Sequence, residues 1–129
     1  MPDQNIQRTD NREREVRICL PWPNKLLSPN ARAHHFARAR AAKAARSMAW
    51  GLTLEAMHGR KLASVCLAWQ FCPPSRRRYD LDNLVAQHKA AQDGIADALG
   101  IDDSKFQTTY RIGAPVKDGA VHVTIGGDA

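Results

Sequence analysis

The sequence predicts an α+β fold, a two-layer sandwich in which helices cover one face of a mixed sheet of about four strands. Four short segments alternate apolar with smaller or polar residues, as strands do: 16–20, 65–71, 106–112 and 121–125. Two longer segments, 33–58 and 80–99, repeat apolar residues with a helical period. The predicted order is therefore β-α-β-α-β-β, and 129 residues suit one domain.

Local signals mark the ends of these elements. Prolines follow the first and second strands, while Gly59 and Gly100 follow the two helices. The Lys-Asp-Gly sequence at 117–119 predicts a hairpin turn between the last two strands. Residues 1–15 are polar and charged without an apolar core, so we interpret them as a disordered N-terminal arm rather than a signal peptide. Residues 16–129 then form the domain.

Charge is distributed unevenly around a net value of +6. Residues 16–79 contain twelve Lys and Arg against one acid, Glu55, whereas residues 80–103 contain six Asp against one cation, Lys89. A basic surface of this size suits nucleic acid, and the alternative is a charge that serves solubility only. No segment approaches the length of a membrane span, so no membrane partner is expected.

Three cysteines without a CxxC pair indicate reduced thiols and a cytoplasmic location. A zinc site using Cys66, Cys72 and a histidine would lack the usual ligand spacing. His88 falls on the apolar stripe of the second predicted helix, which is typical of a packed core histidine rather than a metal ligand.

The segment 76–83 contains the candidate phosphate-binding and metal-binding side chains. The run Arg76-Arg77-Arg78 leads into Asp80-Leu81-Asp82-Asn83, and a second acidic pair follows at 102–103. Clustered arginines bind phosphate, whereas clustered carboxylates repel it unless a divalent cation lies between them. Because hard oxygen ligands suit Mg²⁺, this combination predicts a protein that acts on a phosphodiester through that ion.

Helix geometry refines the placement of these groups. Residues two apart point to opposite sides of a helix, so Asp80 is expected in the extended approach or at the N-cap and Asp82 in the first turn. Seven and eleven residues make nearly whole turns, which would place Asp82, Lys89 and Asp93 in one line. Whether Asp103 returns to the same place is left open by the sequence. Simple capping by Asp80 and a plain turn at 102–103 are the structural alternatives.

The chain resembles the RusA family of Holliday junction resolvases, small Mg²⁺-dependent endonucleases often associated with prophages. The resemblance covers nearly everything from Arg17 to the end of the chain. It rests on five motifs: Leu20-Pro21-Trp22-Pro23, Ser28-Pro29-Asn30, Arg78-Tyr79-Asp80-Leu81-Asp82-Asn83, Lys89-Ala90-Ala91-Gln92-Asp93 and Gly100-Ile101-Asp102-Asp103-Ser104.

This resemblance implies a RusA-like fold and a homodimer that binds four-way junction DNA and nicks two opposed strands symmetrically. Asp80, Asp82 and Asp103 match the metal-binding carboxylates of the family, and Lys89 looks like its catalytic lysine. The expected catalytic set is therefore these four residues with Mg²⁺. The expected DNA-binding residues are basic or lie in the motif loop: Asn30, Arg38, Lys43, Arg76, Arg77 and Arg78.

Two departures from the family pattern would reduce or alter activity, and a second hypothesis stands beside the first. Tyr79 separates the arginine run from Asp80, and Lys89 follows Asp82 by seven residues where the family usually has four, a position held here by Ala86. The two spacings share a helix face but differ by about 4.5 Å along the axis. The second hypothesis is a basic nucleic-acid-binding protein without catalysis, such as an inactive resolvase homologue.

Overall fold

The computed structural model describes residues 15–32 and 34–128 and has a mixed α+β fold with three helices and one four-stranded mixed sheet. This is compatible with the predicted α+β sandwich. The predicted N-terminal arm lies outside the described residues except for Glu15. In the described part of the chain, no helix combines the length and apolarity needed to cross a bilayer. The elements are β1 (Val16–Pro21), α1 (His35–Met57), β2 (Val65–Cys72), α2 (Leu81–Gln87), α3 (Lys89–Leu99), β3 (Phe106–Ile112) and β4 (Ala120–Gly126).

The sheet has the strand order β1-β4-β2-β3, in which β4 is antiparallel to both of its neighbours and β2 is parallel to β3. The predicted hairpin between β3 and β4 is therefore wrong, because β2 lies between them. The tight turn itself exists, with positive φ at Asp118 and Gly119. The linker first runs past the end of β2, where the Gly113 amide donates to Phe71 O at 2.8 Å. The residues of the turn predicted that the chain reverses direction at 117–119. They did not predict that β4 pairs with β2 instead of β3.

One face of the sheet forms the core. Trp69 and Phe71 of β2 are almost completely buried, whereas Cys66 and Arg111, which point to the other face, are exposed. Helices α1 and α3 pack against each other over this layer, and Ala49 and Ile95 are fully buried there. The alternation predicted from sequence is confirmed by the buried strand residues, which are Ile18, Leu20, Val65, Leu67, Trp69, Phe71, Val121, Val123 and Ile125.

The helix predicted over 80–99 is interrupted at His88, which separates α2 from α3. The His88 Nδ1 atom lies 2.5 Å from Leu84 O, and because a carbonyl only accepts, Nδ1 is the donor. The His88 backbone amide bonds to Val85 O at 3.1 Å instead of continuing the regular ladder. We attribute the break to this side chain, which occupies the carbonyl that the helix backbone would otherwise use. The ring packs on Phe71 with 4.8 Å between centroids, so the predicted core histidine is confirmed.

Burial of His88 predicts a pH-dependent stability. Desolvation lowers its pKa below the ordinary 6.5, while the bond to the Leu84 carbonyl opposes this shift. The unfolded chain then binds the proton more readily, so stability is complete above about pH 6.5 and falls as pH decreases below it, by at most about 1.4 kcal/mol per pH unit.

Urea denaturation at about pH 7.5 and about pH 5.5 checks this expectation. His88→Asn is the matched variant, because its amide can donate to Leu84 O but does not titrate. The natural protein should lose more stability on acidification than the variant. Equal losses would show that His88 contributes nothing to the acid sensitivity.

Candidate functional site

The first turn of α2 presents two exposed carboxylates. Asp80 has an extended backbone (φ −87°, ψ 118°), and its Oδ1 accepts the Asp82 amide at 2.9 Å. Asp80 is therefore the N-cap and Asp82 lies in the first turn, as the helix geometry predicted. Both side chains are open to solvent, where a cation or a nucleic acid can reach them.

The arginine run lies immediately before these carboxylates. Arg76, Arg77 and Arg78 are exposed and line an open depression of about 530 Å³. Tyr79, which separates the arginine run from Asp80, contacts residues on both sides of Arg76. Its ring centroid lies 4.6 Å from the Arg77 guanidinium carbon, and its hydroxyl lies 3.0 Å from Ser75 Oγ. The Ser75 hydrogen bond, followed by Arg77, lowers the pKa of Tyr79. The result is an exposed cationic loop beside an acidic helix start.

Lys89 and Asp103 are brought together. The Lys89 Nζ atom lies 2.6 Å from Asp103 Oδ2 and 2.9 Å from Asp93 Oδ1, and the bond to Asp103, then that to Asp93, raises the pKa of Lys89 to about 12. The i,i+4 contact with Asp93 forms within α3. The predicted single line from Asp82 through Lys89 is interrupted by the helix break at His88, so helical phasing does not extend across it.

Asp102 stabilises a turn, which was the structural alternative to metal binding for the acidic pair at 102–103. Its Oδ1 accepts the Ser104 amide at 2.9 Å and caps a 3-10 turn at Asp103–Lys105. These contacts with Ser104 lower the pKa of Asp102. Asp102 thereby orients the turn from which the Asp103 side chain reaches Lys89.

Two further residues support Asp103 and were not singled out from the sequence. Gln92 Nε2 lies 3.5 Å from Asp103 Oδ2, and the Tyr110 hydroxyl donates to Gln92 Oε1 at 3.3 Å. Burial raises the pKa of Tyr110, so the phenol stays a donor. The only sequence signals were the position of Gln92 one turn after Lys89 and the inward phase of Tyr110 on β3. Together they connect Asp103 to the sheet.

An acidic groove of about 470 Å³ runs beside this network. On its wall the Arg46 guanidinium of α1 binds both oxygens of Asp97, at 2.7 and 3.0 Å. The groove places Asp103 with carboxylates of α3 and of its own turn, since the four acidic residues that line it are Asp93, Asp97, Asp102 and Asp103.

The carboxylates that the sequence assigned to Mg²⁺ do not form a ready-made ion site. Within residues 15–32 and 34–128, no three His, Cys, Asp or Glu side chains lie close enough to hold one ion. The oxygen donors of Asp80, Asp82 and Asp103 suit Mg²⁺ chemically. As arranged, however, Asp80 Oδ1 is occupied by a backbone amide and Asp103 Oδ2 by the ammonium of Lys89. The set would have to rearrange to hold an ion.

The other predicted DNA-binding residues lie around the start of α1. Asn30 is exposed in the preceding turn, and Lys43 is exposed on the helix. Arg38 is half-buried, and its Nη2 donates to Ser28 O at 3.2 Å and to Ala31 O at 2.6 Å. Its guanidinium therefore holds the motif loop against the helix in this structure.

Comparison with known proteins shows a kinship without an assigned activity. No protein-family model matches the chain. A protein of Xylella fastidiosa (strain Temecula1 / ATCC 700964), whose name is "Uncharacterized protein", is 44% identical over 120 residues, covering 85% of this chain and 75% of the relative. The chain belongs to the same family as this protein. The name of the relative assigns no activity, so this relationship does not indicate a reaction or a ligand.

Proposed function

We propose that this protein has a RusA-like fold and is a Mg²⁺-dependent, structure-specific endonuclease that binds four-way junction DNA and nicks two opposed strands. The proposal is carried by one observation: three exposed arginines are separated by a single residue from two exposed carboxylates, Asp80 and Asp82, at the start of α2. Arginine forks bind phosphate, and carboxylates so close to a phosphate path repel DNA unless a divalent cation is present. Without such an ion these acids weaken DNA binding, even though Asp80 also caps the helix.

Phosphate binding, metal binding and charge stabilisation would fall to different residues. The run Arg76-Arg77-Arg78 binds backbone phosphates, and the loop around Tyr79 fixes where Arg77 points. Asp80, Asp82 and Asp103 supply hard oxygen ligands. Mg²⁺, when bound, supplies neutralisation of phosphate charge and an activated water. Lys89, whose ammonium is bound to Asp103, would stabilise negative charge on a nearby phosphate.

Symmetric nicking implies a particular assembly. A four-way junction has four strands, and two identical sites related by a twofold axis match a pair of opposed strands. The proposal therefore includes a homodimer, as the resemblance to the RusA family implies.

A cleavage assay with a synthetic four-way junction tests the proposal. We expect paired nicks in opposed strands when Mg²⁺ is present and none when it is chelated, because the acids need the ion to accept a phosphodiester. A linear duplex of the same sequence is the control and should stay intact. Cleavage without divalent ions, or equal cutting of duplex and junction, would contradict the proposal.

The arrangement of Lys89 favours a second candidate, a junction-binding protein without catalysis. Its ammonium already neutralises Asp103, and among the described residues the three predicted ligands are not assembled around one point. This candidate predicts salt-dependent junction binding that Mg²⁺ does not convert into cleavage. The same assay separates the two functions.

A further inference from the structure

Lys89 makes the contacts of a bound cation rather than those of a free catalytic side chain. Its ammonium bridges oxygens from two elements, Asp93 of α3 and Asp103 of the following turn, at 2.9 and 2.6 Å. Both carboxylates are about three-quarters buried, with 30% and 26% of the side chain exposed, whereas 64% of the Lys89 side chain is exposed. The acids are thus more deeply buried than the ammonium, which contacts them from the solvent side.

We propose that the Lys89 ammonium is the resident cation of the Asp93–Asp103 pair, and that a divalent ion binds Asp103 only by displacing it. The inference rests on the proposed function in one respect, the assignment of Asp103 as a metal ligand. A second cation a few ångströms from the ammonium would be repelled. Asp103 Oδ2 already accepts from both Lys89 and Gln92, so an ion that binds this oxygen has to replace the ammonium.

Displacement of the lysine requires little reorganisation. Solvent-exposed ion pairs are weak, and the long lysine stem can move into water without disturbing packing. Lys89 is also the first residue of α3, where the helix dipole disfavours a cation, so the two carboxylates alone hold the ammonium there. This position is a consequence of the helix break at His88.

Asp103 would keep its orientation after the lysine leaves. The Gln92 amide and the Tyr110 hydroxyl form a second connection to it, from α3 and β3. The carboxylate would therefore face the incoming ion, while the released ammonium would become available to a phosphate. Metal binding and lysine release would then be one event.

Isothermal titration with Mn²⁺ alone, in the absence of DNA, tests this proposal. Lys89→Met removes the ammonium but keeps an unbranched side chain, and we expect it to bind Mn²⁺ about tenfold more tightly than the natural protein. Arg46→Met is the matched control, because it removes the same charge from another exposed ion pair made with α3, that to Asp97. This control should gain clearly less affinity than Lys89→Met, because Arg46 is paired with Asp97 and makes no ion pair with Asp103. Adding Asp103→Asn to Lys89→Met should abolish the gain.

Two outcomes would overturn the inference. One is Mn²⁺ binding by Lys89→Met that is no tighter than that of Arg46→Met, which includes the case in which none of the proteins binds the ion. The other is a gain that persists after Asp103→Asn is added.

Junction cleavage by the same proteins separates this inference from the proposed function. If Lys89→Met gains affinity for Mn²⁺ but no protein cuts the junction, the nuclease proposal fails and the displacement stands. If the natural protein cuts the junction but Lys89→Met gains no affinity, the displacement fails and the nuclease proposal stands.

Discussion

Replacing Asp82 with Asn is expected to slow Mg²⁺-dependent junction cleavage by about a hundredfold or more while preserving or strengthening junction binding. The amide keeps the shape of the side chain but loses the charge that a hard divalent ion requires. The same loss of charge removes repulsion between the start of α2 and a phosphate backbone. Asp82 is exposed in the first turn, so stability should fall by only about 0.5 kcal/mol through the helix dipole.

Single-turnover cleavage and gel-shift binding in chelator measure the two effects separately. Asp97→Asn is the control, because it makes the same substitution on an exposed acid of α3 that is paired with Arg46. It should cut within about twofold of the natural rate, since a surface ion pair is worth little. Cleavage by Asp82→Asn at the natural rate would remove this carboxylate from the mechanism.

The fold was predictable wherever a local pattern decides the structure. The four strands lie where apolar residues alternate, because the period of two places one side of each strand on the core. The two misses have causes that the apolar pattern does not contain. The strand order depends on which edge of β2 each of the strands β3 and β4 pairs with. The turn at 117–119 does not determine this pairing. The break at His88 depends on a side-chain bond to Leu84 O, which the helical period does not reveal.

In the candidate site, too, the residues placed by local contacts were predictable from the sequence and the others were not. Asp80 as N-cap and Asp82 in the first turn were predictable because capping involves residues two or three apart. The position of Asp103 was not, because it depends on the direction of α3 after the break and on support from β3 through Tyr110. The resemblance to the RusA family connected Lys89 with the acids, and the structure adds that Lys89 is bound to Asp103 itself.

Helix α3, which carries Lys89 and Asp93, packs against α1, and Gly94 determines how closely the two helices approach. Gly94 is buried in α3 and faces the backbone of α1. A Cβ atom at this position would press against the Arg46 carbonyl oxygen and lie 3.1 Å from the Trp50 amide nitrogen. Because these are backbone atoms, neither can rotate away, and the helices would have to separate.

Gly94→Ala is therefore expected to destabilise the protein by about 3 kcal/mol, although alanine is the better helix former by about 1 kcal/mol. Gly51→Ala is the matched control, because Gly51 lies inside α1 with no side-chain or other backbone atom within 4 Å of a new Cβ. That variant should gain about 0.5 to 1 kcal/mol from helix propensity alone. Urea denaturation of both variants measures the opposite signs. Equal stabilities would contradict the close approach of α1 and α3 at Gly94.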